Sequence, residues 1–154
     1  MNIPLNTIGN DNQPFRLIRL TKRWRQVVEQ KVQLSGLTDA TWRPLLHLLL
    51  LGNGIRQKDL ADSIGITGPS LVRLLDTLIN NQLIVRNEDA DDRRAKKLYL
   101  TAAGETLARQ IQESVQEIDE LLLQGFSAEE LKQMLDFTSR LENNLDTIIR
   151  QTGE

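Results

Sequence analysis

Cysteine is absent from this 154-residue chain, which excludes disulfides, thiolate metal sites and thiol redox chemistry. A single histidine, His47, leaves too few imidazoles for a His-rich metal centre. Residues 1–20 contain no long apolar run and are broken by Asn, Gln, Pro and Arg, so they read as neither a secretory signal nor a membrane span. A cytoplasmic protein with no membrane partner is expected. Also missing are a Gly-rich phosphate loop, a Ser- or Cys-centred nucleophile with a base nearby, and a cluster of metal ligands. The many carboxylates of the last third read as the wet sides of helices, so no enzyme and no cofactor is expected. The chain has no internal repeat and no low-complexity segment.

What is present is ordinary globular material, 40% hydrophobic and 26% charged, in a length that suits one core. The net charge of −2 argues against a nucleic-acid binder until its distribution is considered. Residues 1–54 hold seven Lys/Arg and three Asp/Glu, residues 55–100 eight and seven, and residues 101–154 four and eleven. Acid is therefore concentrated at the C-terminal end, which a phosphate backbone would repel. Such asymmetry permits DNA binding by one face without requiring it.

Residues 1–13 are polar and aperiodic and read as a flexible lead to a single domain over 14–154. From Pro14, apolar residues at Leu17, Leu20, Trp24, Val27, Val28 and Val32 recur at helical spacing, with Arg16, Arg19, Lys22, Arg23 and Arg25 on the other face. Gly36 ends this helix. A second runs from a Thr38 cap to Leu51, and Pro44 within it forces either a kink or a start as a tight turn. Gln57–Ser63 reads as a short third helix, Gly65 as a turn, and Thr67 as the cap of a fourth helix with Pro69 in its first turn. Leu83–Arg86 and Lys97–Leu100 read as strands of a hairpin. Thr101 then caps a long helix striped by Leu107, Ile111, Val115, Ile118 and Leu122. After Gly125, Ser127 and Glu130 form a capping box for a last helix carrying Leu131, Met134, Leu135, Leu141, Leu145, Ile148 and Ile149. The fold class is mainly α with a small β-hairpin. The apolar stripes of the long end helices exceed what the intervening chain covers, so a homodimer is expected.

The segment QKDLADSIGITGPSLVRLLDTL has the spacing of two helices crossing steeply. Ala61 is small at the approach, Gly65 allows the turn, and Leu60, Ile64, Ile66, Leu71 and Leu74 fill the joint. Thr67, Gly68, Ser70 and Arg73, with Leu71 beside them, stand at the start of the second helix, where side chains enter a major groove. Arg73 can donate two hydrogen bonds to a guanine edge, and Ser70 can bond a base or a phosphate. A plain helical hairpin fits this segment equally well. The run DDRRAKKLYLT at 91–101 favours the groove: a charged tip between two short strands resists burial and can reach a narrow minor groove. Its candidate contacts are Asp92, Arg93, Arg94 and Lys96, with Arg86 on the preceding strand.

From about Leu37 to Gly104 the chain resembles the MarR family of bacterial transcription regulators, and the PSLVRLLDTL and DDRRAKKLYLT strings are similar to its SlyA branch. The family's wing motif is matched by Asp92, Arg94, Ala95, Lys96, Leu100 and Thr101. The resemblance implies a winged helix-turn-helix over about 38–101, flanked by dimerisation helices over about 14–35 and 102–151. It also implies a homodimer on a pseudo-palindromic duplex, with Arg94 in the minor groove and Asp92 tying down the wing. Two departures stand out: Gln82 occupies a position usually held by Gly, which requires Asn81 to take the left-handed cap conformation, and Pro44 is unusual in the second helix. The resemblance further implies a small phenolic or carboxylate effector in a cleft. Arg23, Trp24, Trp42, Arg43 and Leu46 are its candidate walls, Leu46 standing where close relatives carry His; the alternative puts both Trp residues in the core. The missing thiol excludes a peroxide-sensing relative. The competing functional reading is a winged helix used for protein–protein contact alone.

Overall fold

In the computed structural model, residues 13–33, 41–88 and 96–152 are described. Among them lie helices α1 (Gln13–Gln33), α2 (Trp42–Leu51), α3 (Gln57–Ile64), α4 (Gly68–Asn80), α5 (Ala102–Leu122) and α6 (Ala128–Thr152). Strands β1 (Ile55–Arg56), β2 (Ile84–Glu88) and β3 (Lys96–Leu100) form an antiparallel sheet in the order β1-β3-β2. The arrangement is a winged helix. Two compact units divide the chain, Met1–Ile118 and Asp119–Glu154.

The core of the first unit joins Val28 and Val32 of α1, Leu45 and Leu48 of α2, and Leu60 of α3 to Leu71, Leu75 and Leu78 of α4. Ile84, Leu98, Ala108 and Ile111 complete it. Of the residues expected to fill the helical joint, Leu60, Ile64 and Leu71 are buried there and Ile66 packs against them, whereas Leu74 is half-buried and lies outside this core. Gly65 closes α3 in the left-handed conformation at φ 73°, and its N–H donates to Ala61 O over 2.9 Å.

The described α2 begins at Trp42, four residues beyond the Thr38 expected to cap it; Thr38 itself lies outside the described residues, as does Gly36. Pro44 accordingly sits in the first turn, where its missing N–H breaks no intrahelical bond. Thr67 occupies the N-cap position of α4 with extended backbone. Its hydroxyl, however, bonds the Ser70 hydroxyl at 2.9 Å instead of a backbone N–H, so the side-chain cap expected of Thr67 is not made.

At the end of α4 the left-handed residue is Gln82, at φ 58°. Asn81 has φ −82° and is not the residue that turns, which corrects the expectation placed on it. Gln82 accepts this conformation because its flanks are tied: Leu83 N–H donates to Leu78 O at 2.9 Å, and the Thr101 hydroxyl donates to Gln82 O at 2.8 Å. The hairpin pairs Ile84 with Leu100 and Glu88 with Lys96. The sheet gains a third, two-residue strand that the pattern did not signal, with Ile55 opposite Leu98. Asn53 Oδ1 accepts from Leu100 N–H at 2.7 Å and holds that strand's approach in place.

Thr101 caps α5 as expected: its Oγ1 accepts from Gly104 N–H at 3.0 Å. In the second unit, Ser127 N–H donates to Glu130 Oε2 at 2.8 Å while Glu130 N–H donates to Ser127 Oγ at 3.3 Å. This is the reciprocal capping box read from the sequence. No residue of α6 is buried.

Candidate nucleic-acid interface

Helix α4 is amphipathic in the plain sense that Leu71, Leu75 and Leu78 are buried while Ser70, Arg73, Asp76 and Thr77 are exposed. Thr67 and Gly68 are exposed at its start. The polar beginning of the helix therefore stands on the side away from the buried row. Leu71 is wholly buried, which corrects its inclusion among the DNA-contacting residues. Its position one residue after Ser70 rotates it by about 100° to the core side.

The hairpin flanks this helix, with β2 packed against α4. Arg86 on β2 reaches Asp76 on α4, its Nη2 lying 3.6 Å from Oδ1. Lys96 at the head of β3 bonds Glu88 directly across the sheet, Nζ to Oε1 at 2.8 Å. This hydrogen bond first, and the lysine charge second, hold the Glu88 carboxyl below the usual carboxylate range. Of the two cations singled out on the strands, Arg86 is exposed and Lys96 half-buried, and both have an acidic partner within the protein. Asp92, Arg93 and Arg94 lie outside the described residues.

The five effector candidates do not share a cleft among the described residues. Trp42 is 3% exposed and Leu46 7% exposed, both core residues of α2, and the buried Trp42 Nε1 has no hydrogen-bond partner among the described residues. Trp24 packs against the same core. Arg23 lies on a separate depression with Gln13, Arg16, Leu17, Arg19 and Leu20. An aromatic wall for a ligand is thereby corrected: the period of the helices turns both indoles inward. Only Arg43 faces a cleft beside α4, a space of about 380 Å³ lined with Arg25, Glu29, Ile64, Ile66, Ser70, Arg73 and Leu74.

In that cleft Arg43 donates to Ile64 O at the end of α3. Burial, and after it the charge of Arg25, pull the Arg43 guanidinium below its ordinary value, and Glu29 partly offsets them. Three guanidinium groups and one carboxylate thus border a space that opens on the start of α4. Arg25 and Glu29 were not recognised from the sequence as members of this site. Their signal is only that they lie four residues apart on one side of α1. One turn on from Arg43, His47 Nδ1 bonds the Ser63 hydroxyl at 2.8 Å, linking α2 to α3 away from this cleft's lining. Burial, followed by the Arg43 charge, holds its imidazole below the ordinary histidine range. No group of His, Asp and Glu among the described residues could hold a metal ion.

A MarR-family sequence model matches residues 35–95. Across almost the whole chain the likeness continues: the crystal structure of the transcriptional regulator PA3341 is 31% identical, with a TM-score of 0.82 over 87% of this chain and 98% of that one. The chain belongs to the MarR family. MepR of S. aureus, solved as a complex with DNA, is 26% identical at a TM-score of 0.76, covering 86% of this chain and 97% of that one. The transcriptional regulator SlyA, at 24% identity and a TM-score of 0.77, covers 86% and 94% and shares the fold. The MarR protein described here is thus a winged-helix member of a family of transcriptional regulators. No helix among its described residues is long and apolar enough to cross a membrane.

Proposed function

We propose that this MarR protein binds duplex DNA in the cytoplasm as a homodimer and regulates transcription in the manner of the SlyA branch. In this reading α4 enters the major groove through Thr67, Gly68, Ser70 and Arg73, while the hairpin reaches the adjoining minor groove with Arg93 and Arg94 at its tip. The two copies read the halves of a pseudo-palindromic site. The observation that carries the proposal is the polar, exposed start of α4 next to a hairpin bearing Arg86 and Lys96. The DNA complex of MepR, a relative of the same fold, lends it support.

Selection of bound duplexes from a random pool, followed by anisotropy titration, tests this. Affinity should fall steeply with salt, by several log units per tenfold rise if several phosphates are contacted. Arg73→Ala should cost about 1–3 kcal/mol on the selected site and relax preference at one base pair. Unchanged affinity in that variant would reject the role given to α4.

A small aromatic or aliphatic carboxylate is proposed as an effector, seated between Arg25, Arg43 and Arg73. Because Arg73 would serve both ligand and DNA, occupancy should weaken duplex binding. Salicylate titrated to millimolar concentration against a preformed complex checks this, and an unaltered complex would count against it.

A further inference from the structure

The helix proposed to enter the groove carries one basic residue, Arg73, and one acidic residue, Asp76. Both are exposed, opposite the buried row Leu71, Leu75 and Leu78. A carboxylate on that side faces the repulsion of any duplex held against the helix. Asp76 is not left to meet it alone: Arg86 of β2 lies 3.6 Å away, and the two side chains are 53% and 32% exposed respectively. An exposed pair with this separation contributes little to folding stability, so its consequence is to be sought in binding.

We infer that Asp76 is a specificity-determining residue, which occupies Arg86 internally and so suppresses indiscriminate attachment to DNA phosphates. The inference rests on the DNA-binding reading and adds a regulator of selectivity to it. While Arg86 is paired with Asp76, the pair carries no net charge and Arg86 releases no counterion when a duplex arrives. A phosphate gains this arginine only by displacing a carboxylate already in place. On a matched site, contacts from the rest of α4 hold the backbone close enough for that exchange. On a random duplex they do not, and Arg86 stays with Asp76. Asp76 acts through Arg86 as a positioning residue and needs no base contact of its own.

The test measures binding of the full chain to a random-sequence duplex and to a selected one, across a range of salt, for wild type, D76N, D76E and D76N/R86Q, with R86Q as reference. For the random duplex, D76N should steepen the log–log salt slope by about one phosphate's worth and tighten binding roughly eightfold at about 0.1 M salt. The gain on the selected duplex should be smaller, D76E should keep the wild-type slope, and the Asn substitution should add little once Arg86 is replaced. The slope is independent of the fraction of active protein, so partial unfolding does not imitate the effect. Three outcomes overturn the inference: an unmoved slope in D76N, weaker binding to both duplexes, or a full gain that persists with R86Q. If wild type binds neither duplex at any salt, the DNA-binding reading falls and takes this one with it. A wild type that binds normally beside an unresponsive D76N rejects the role of Asp76 alone.

Discussion

Gly104 and Gln82 determine how the hairpin is fastened to the long helix that follows it. A Cβ built on Gly104 would lie 1.8 Å from the backbone oxygen of Leu83. That same oxygen accepts from Thr101 N–H at 3.0 Å, so it cannot withdraw without breaking the junction. Gly104→Ala is therefore expected to destabilise the protein by about 3 kcal/mol or more, as an overpacked backbone contact does. Urea unfolding measures it, and a loss below about 1 kcal/mol would contradict the fit. Gln82 holds a left-handed backbone at roughly 1 kcal/mol or more of cost relative to glycine, offset by the Thr101 hydroxyl on its carbonyl. The missing glycine was visible in the sequence, but which residue would turn was not. That choice depended on where the Leu83 amide found its acceptor in α4.

At the scale of single elements, α6 starts from a cap whose strength depends on pH. Hydrogen bonds from the Ser127 N–H, and then from its hydroxyl, hold the exposed Glu130 carboxyl below the ordinary carboxylate range. The folded form thus ionises more readily than the unfolded one. Its stabilising contribution is complete above the unfolded pKa, roughly 4.3, and is lost as pH falls through the lower folded value. Melting of wild type and Glu130→Gln followed by circular dichroism should therefore differ at neutral pH and converge in acid; curves that stay parallel throughout would refute the cap's ionic character. This box was legible because it is local, two residues three apart. The hydroxyl of Thr67 has the same kind of sequence signal and went to Ser70 instead, an equally local competitor that pattern reading did not weigh. Strand β1 was missed for the opposite reason. Two residues have no periodicity, and Ile55 and Arg56 are a strand only because β3 offers them an edge.

For the molecule as a whole, the outstanding feature of the second unit is a row of exposed apolar side chains along α6. Met134, Leu135, Leu141, Leu145, Ile148 and Ile149 are all exposed on α6, and so are Phe15, Leu17, Ile18 and Leu20 on α1 of the first unit. Apolar surfaces on this scale are rarely left in water by a soluble monomer, and closed two-fold pairing is the commonest way of covering them. Sedimentation at micromolar concentration is expected to give about twice 17.5 kDa. Leu145→Arg should shift the protein toward monomer and weaken duplex binding at the same time, since a monomer engages only one half-site. A monomeric wild type would remove the dimer from the proposal.

Sequence alone determined the order of helices, the Gly65 turn, the paired hairpin and the family likeness. Each depends on spacing between near neighbours, which the 3.6-residue and two-residue periods convert directly into faces. Tertiary structure decided which exposed or half-polar residues meet. It turned Trp42 and Leu46 into the core, brought Arg25, Arg43 and Arg73 around one cleft, and set Arg86 against Asp76. These groupings join residues many positions apart, and no local pattern encodes them, because the side chains involved are brought together by the packing of other residues beneath them.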